Sequence, residues 1–70
     1  MLTPRQQEIL KDVLDGLSDE QIAGRRFIDV TTIKSHLQKI FREYEVNSRA
    51  MLIAKIYKSK INKIKEIVGG

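Results

Sequence analysis

The pattern that most constrains this chain is a helix-start signal that occurs twice. Thr3-Pro4-Arg5-Gln6 and Ser18-Asp19-Glu20-Gln21 each place a hydroxyl residue three positions before a glutamine. In that arrangement the hydroxyl accepts from the third helical amide, and the glutamine reaches back to the cap's own amide. The only proline, Pro4, stands at the first helical position, where its missing N–H costs nothing. Two of the four glycines are the last two residues. The chain between these points therefore reads as helices joined by short turns.

Apolar residues then recur at helical spacing. Ile9, Leu10, Val13 and Leu14 line a first helix that Gly16 ends. Ile22 and Ala23 face inward from a short second helix, which carries Gly24 at a cost of about 0.5–1 kcal/mol relative to Ala. Phe27 and Ile28 form an apolar turn expected to be pinned under its neighbours. Asp29 is the expected cap of a third helix. Val30, Ile33, Leu37, Ile40, Phe41 and Tyr44 give that helix one apolar face. Glu45-Val46-Asn47 is a break, with Asn47 or Ser48 capping a long fourth helix over about 48–68. A helix, a short helix, a three-residue turn and a helix make a helix-turn-helix, here at about 18–37, whose last helix is the one suited to a DNA groove.

Composition removes several function classes. The 70 residues are one domain at most, 1–70, and too few to build both a core and a deep catalytic cleft. There is no cysteine and one histidine, which excludes thiol chemistry and Cys- or multi-His metal sites. No enzyme, no cofactor and no metal site is expected. No run approaches the ~18 apolar residues of a membrane span. No apolar signal core opens the chain, so a cytoplasmic, nucleoid-associated protein is expected.

The net charge of +4 is unevenly spread. Residues 47–70 carry most of the excess. Residues 30–42 hold Lys34, Lys39 and Arg42 and no acid. Thr31, Thr32, Ser35, Gln38, Lys39 and Arg42 fall opposite the apolar face of the third helix, with Lys34 at its flank. A solvated helix face ordinarily mixes Glu with Lys. This stripe offers only hydroxyls, an amide and cations, which suit phosphate oxygens and base edges. The plainer reading is a polar surface that lacks acids by chance. His36 lies at the edge of the stripe, suited either to a phosphate or to a hydrogen bond within the fold.

These residues carry a resemblance. Leu2-Thr3-Pro4-Arg5-Gln6-Gln7-Glu8-Ile9-Leu10, Gly16-Leu17-Ser18 with Ile22-Ala23, Thr32-Ile33-Lys34-Ser35-His36-Leu37 with Ile40-Phe41, and Val46-Asn47-Ser48-Arg49 occur in order. Over about residues 2–56 they resemble the LuxR-type (GerE/NarL-like) helix-turn-helix domain. The resemblance implies an all-α, four-helix transcription-regulator domain that binds double-stranded DNA, often as a dimer through helix four. It places base contacts at Lys34, Ser35 and Gln38, and phosphate contacts at Thr32, Lys39 and Arg42. Thr31, on the same stripe, is counted with the phosphate set. It also implies a structural ion pair between Glu8 and Arg49. The chain departs from the family pattern at Gly24, at Arg26, where an apolar residue is usual, at Tyr44-Glu45, where an apolar residue and a glycine stop are usual, and at Ala50-Met51. The departures at Gly24 and Arg26 would loosen the second helix or add a contact to the DNA backbone through Arg26.

The fourth helix carries a seam of its own. Ala50, Ala54, Tyr57, Ile61, Ile64 and Val68 recur at spacings of 4, 3, 4, 3 and 4. Ile53 and Ile56 lie beside the seam and can pack on the core. Homodimerisation through Ala50, Ala54, Tyr57, Ile61 and Ile64 is expected, against the plainer reading of a solvated tail. Two other functions use the same helix: a module that binds another regulator, and a Lys/Ile helix lying on a membrane surface, which the absence of Trp and Phe from the tail disfavours. The 70 residues contain no receiver or ligand-binding domain, so no small-molecule ligand is expected within this chain.

Overall fold

The computed structural model describes the backbone of residues 1–68 and the side chains of residues 1–59. It contains four helices: α1 (Pro4–Leu14), α2 (Asp19–Arg26), α3 (Val30–Glu43) and α4 (Arg49–Val68). No strand occurs among the described residues. Both capping boxes form. Thr3 Oγ1 accepts from the Gln6 amide at 3.2 Å while Gln6 Oε1 accepts from the Thr3 amide at 3.0 Å. Ser18 and Gln21 repeat the exchange at 3.2 and 2.8 Å. Asp29 occupies the cap position of α3 but its side chain makes no capping hydrogen bond. Ser48, rather than Asn47, caps α4, accepting from the Met51 amide at 3.2 Å.

The first three helices stop in the same way. A residue in the left-handed region follows each one: Gly16 (φ 88°), Phe27 (φ 56°) and Glu45 (φ 57°). The next amide folds back onto the last turn: Leu17 to the Asp12 carbonyl at 3.1 Å, Ile28 to Ala23 at 3.0 Å, and Val46 to Phe41 at 2.9 Å. This is the six-to-one closure of a Schellman stop. In each case the residue supplying that amide is apolar and packs on the core. The glycine stop missing after Tyr44 is therefore replaced in kind, with Glu45 adopting the conformation that glycine favours. The expectation that Phe27 is pinned beneath the helices is wrong. Phe27 is 95% exposed, because the left-handed turn sends Ile28 inward and leaves Phe27 outside.

α3 packs against both α1 and α2, and α1 also touches α2 and α4. Ile9, Val13, Ile22, Ala23, Ile33, Leu37, Ile40, Val46 and Leu52 form the buried core. Burying each of the large aliphatic side chains stabilises the fold by about 1.5–3 kcal/mol. Leu52 is the α4 residue that seals this core, with Ile53 and Ile56 half-buried beside it. At about 100° per residue, this inner face lies opposite Ala50, Ala54 and Tyr57. Those three seam residues are exposed. Ile61 and Ile64 lie outside the described side chains.

Candidate nucleic-acid interface

The core contacts orient α3. Ile33, Leu37 and Ile40 are buried, which turns Thr31, Ser35, Gln38 and Arg42 outward along one line. Lys34 and Gln38 fall on one flank of that line. Thr32 and Lys39 fall on the other. All seven residues expected to contact DNA (Thr31, Thr32, Lys34, Ser35, Gln38, Lys39, Arg42) are exposed on this single surface. His36 is half-buried beside Thr32 and Lys39, and its buried Nδ1 has no hydrogen-bond partner.

Ion pairing separates the cations of this surface from the arginines elsewhere. Arg5 meets Glu8, Arg25 and Arg26 meet Asp12, and Arg49 meets Asp19. Lys34, Lys39 and Arg42 meet no carboxylate among the described residues. Their charges are thus available to an external anion.

Two expectations about arginines are corrected. Glu8 and Arg49 do not pair. Arg49 Nη2 donates to Asp19 Oδ1 at 2.6 Å, since the fold sets the start of α4 beside the start of α2. Glu8 lies nearer the end of α2, where its Oε2 accepts from Arg5 Nη1 at 3.2 Å and Arg26 Nη1 at 3.4 Å. Arg26 neither loosens α2 nor points to DNA. Its Nε and Nη2 donate as a fork to the two carboxylate oxygens of Asp12, at 2.8 and 3.0 Å, and Arg25 Nη1 adds a third bond at 3.1 Å. Asp12 is fully buried. The hydrogen bonds from Arg26 hold its carboxyl below the usual carboxylate range; burial opposes this, and Arg25 adds to the lowering. The group ties α1 to the last turn of α2 and so fixes the position of the turn before α3. Asp12 was missed in the sequence because an acid at a helix position is ordinarily solvated. Its place one residue before the buried Val13 was the available signal.

Asp19 and Arg49 also line a shallow groove beside α3, with Lys34, Leu37, Gln38 and Phe41. Among the described residues no group of His, Cys, Asp or Glu forms a metal-binding set, and no helix is long and apolar enough to cross a membrane.

A short helix, a three-residue turn and a second helix whose outward cations meet no carboxylate among the described residues define a helix-turn-helix module of the nucleic-acid-binding class. The pattern of the family described as "Bacterial regulatory proteins, luxR family" matches residues 1–56, and the chain belongs to that family. It is 40% identical over 48 residues to a nitrate/nitrite response regulator protein homolog of Haemophilus influenzae, covering 69% of this chain and 23% of that protein. It is 35% identical over 54 residues to the CsgBAC operon transcriptional regulatory protein of Escherichia coli K12, covering 77% of this chain and 25% of that one. Its fold matches the crystal structure of the response regulator ChrA of a heme-sensing two-component system, with a TM-score of 0.78 at 33% identity, over 86% of this chain and 30% of that one. The chain thus spans about a quarter of the length of these curated relatives.

Proposed function

We propose that this chain is a sequence-specific double-stranded DNA-binding unit of a transcription regulator, acting in the cytoplasm on the nucleoid, with α3 in the major groove. Residues 1–70 act as one domain, with the motif at about 18–37. The observation that carries the reading is the acid-free outward face of α3, whose three cations have no carboxylate partner among the described residues. Ser35, Gln38 and Lys34 read bases: Lys can pair with guanine O6/N7 and Gln with adenine N6/N7, each worth about 1–3 kcal/mol of discrimination. Thr31, Thr32, Lys39 and Arg42 hold phosphates. The protein is a homodimer in this reading. Ala50, Ala54 and Tyr57 are exposed, the sequence continues their heptad spacing with Ile61 and Ile64, and a twofold partner offers an identical seam to meet them.

The alternative, a module that binds another regulator through α4, requires no acid-free face on α3. Selection of bound sequences from random duplexes tests the reading and reports half-site spacing. Lys34→Ala and Gln38→Ala should each relax the preference at one or two positions. Recovery of no preferred sequence, or full retention of the parent's preference in both variants, refutes the assignment. Sedimentation of the wild type and of Ile61→Asp/Ile64→Asp, with and without the selected duplex, tests the dimer. A wild type that binds one-to-one, with no loss in the double variant, removes it.

A further inference from the structure

We infer that Arg49, on α4, is a DNA-phosphate contact whose strength Asp19 restrains. The inference rests on the proposal that α3 enters the major groove. An α-helix with its side chains is about 10–12 Å across and the groove about 12 Å wide, so the phosphates of the two strands run along both flanks of a helix lying in it. On one flank of α3 stand Thr32 and Lys39, already counted as contacts of that side. On the other stand Lys34 and Gln38, and there the surface does not end at α3. It continues into the groove whose far wall is Asp19 of α2 and Arg49 of α4, with Leu37 and Phe41 beneath.

Arg49 is the arginine that holds a buried guanidinium donor with no partner among the described residues. A guanidinium has five N–H donors. Asp12 occupies three such donors, two from Arg26 and one from Arg25, and Arg26 gives a fourth to Glu8. Arg49 spends one, through Nη2 on Asp19. Its Nε lies buried with no partner, an arrangement that costs free energy unless something completes it. The side chain is 36% exposed, enough to be reached from outside and to turn. A phosphate oxygen passing the Lys34 flank is met by the guanidinium turning outward, which brings Nε out of its buried, unpartnered position.

Asp19 then has two opposed effects. Its oxygen orients the guanidinium, and its charge repels the strand. Asparagine keeps the acceptor oxygen and removes the charge. Asp19→Asn should therefore tighten binding of every duplex sequence, whereas Arg49→Gln should weaken every sequence alike. With log K falling by about 0.9 per contact per decade of salt, one phosphate contact is worth roughly eightfold in affinity at 0.1 M salt.

The test is fluorescence anisotropy of the full chain with duplexes of about 24 base pairs, roughly two helical turns, one of selected and one of scrambled sequence, across a series of KCl concentrations at a temperature well below the melting midpoint. Arg49→Gln should lose roughly eightfold on both duplexes and lower the salt slope by about one unit. Asp19→Asn should gain several-fold on both. Arg5→Gln, which removes a paired cation outside the groove, controls for net charge and should fall short of both changes. An Arg49→Gln protein that melts like the wild type and keeps its affinity and slope overturns the inference while leaving the α3 reading intact, provided Lys39→Ala lowers the slope. If Arg49→Gln is unfolded, Asp19→Asn decides: unchanged or weaker binding overturns the inference. A wild type with no salt-dependent duplex binding overturns both.

Discussion

The left-handed helix stops make a prediction that runs against ordinary expectations of substitution. Phe27 and Glu45 sit at φ 56° and 57°, a region where an L side chain costs about 1–2 kcal/mol. Neither recovers that cost through contacts. Phe27 is 95% exposed, and Glu45 is exposed with no ion pair among the described residues. Replacing either with glycine relieves the strain but gives back about 0.5–1 kcal/mol to the freer unfolded chain. The net gain is about 0–1.5 kcal/mol per site, centred near 0.5–1 kcal/mol. The sites lie in separate turns and share no partner, so the double variant should gain about 1–2 kcal/mol. In a domain of this size that raises the melting midpoint by about 4–8 °C per kcal/mol. Gly16→Ala is the reverse experiment. An added Cβ at Gly16 would meet nothing within 4 Å, so any loss there comes from its φ of 88° alone. Thermal and urea unfolding followed by circular dichroism measures the four variants beside the wild type. A Phe27→Gly variant less stable than the wild type, or a Gly16→Ala variant equally stable, would refute the strain argument.

Gly24→Ala should raise stability by about 0.5–1 kcal/mol, since this glycine is helical, exposed and has open space where a Cβ would stand; a lower midpoint on melting counts against that reading. Asp12→Asn should cost about 1–3 kcal/mol at neutral pH, because it removes the charged acceptor of three hydrogen bonds. The native carboxyl titrates below its usual value of 3.8, so its contribution is present above about pH 4 and is lost as pH falls through the lowered native value. Urea titrations at a series of pH values should accordingly show the difference between the wild type and Asp12→Asn shrinking as pH falls below 3.8, and a constant difference would contradict the assignment. Lys39→Ala should weaken all duplexes alike and reduce the salt slope by about one unit, whereas an unchanged slope would remove Lys39 from the interface.

The starts of α1 and α2 and the direction faced by α3 were legible in the sequence. Thr3 with Gln6 and Ser18 with Gln21 are exchanges across three residues, closed within one helical turn and indifferent to what packs on them. The apolar positions of α3 recur at the helical period, so burying Ile33, Leu37 and Ile40 leaves Ser35, Gln38 and Arg42 outside in any fold that uses that face. The helix stops were only half legible. Leu17, Ile28 and Val46 read as apolar, but it is their seating on the core that forces Phe27 and Glu45 into a conformation neither residue favours. The arginine partners were not legible at all. Arg26 reaches Asp12 across 14 residues and Arg49 reaches Asp19 across 30. Which carboxylate an arginine meets over such separations depends on where the helices cross and which ends they bring together. The buried side chains of α1, α2, α3 and α4 decide that jointly, and no local stretch of the chain contains it.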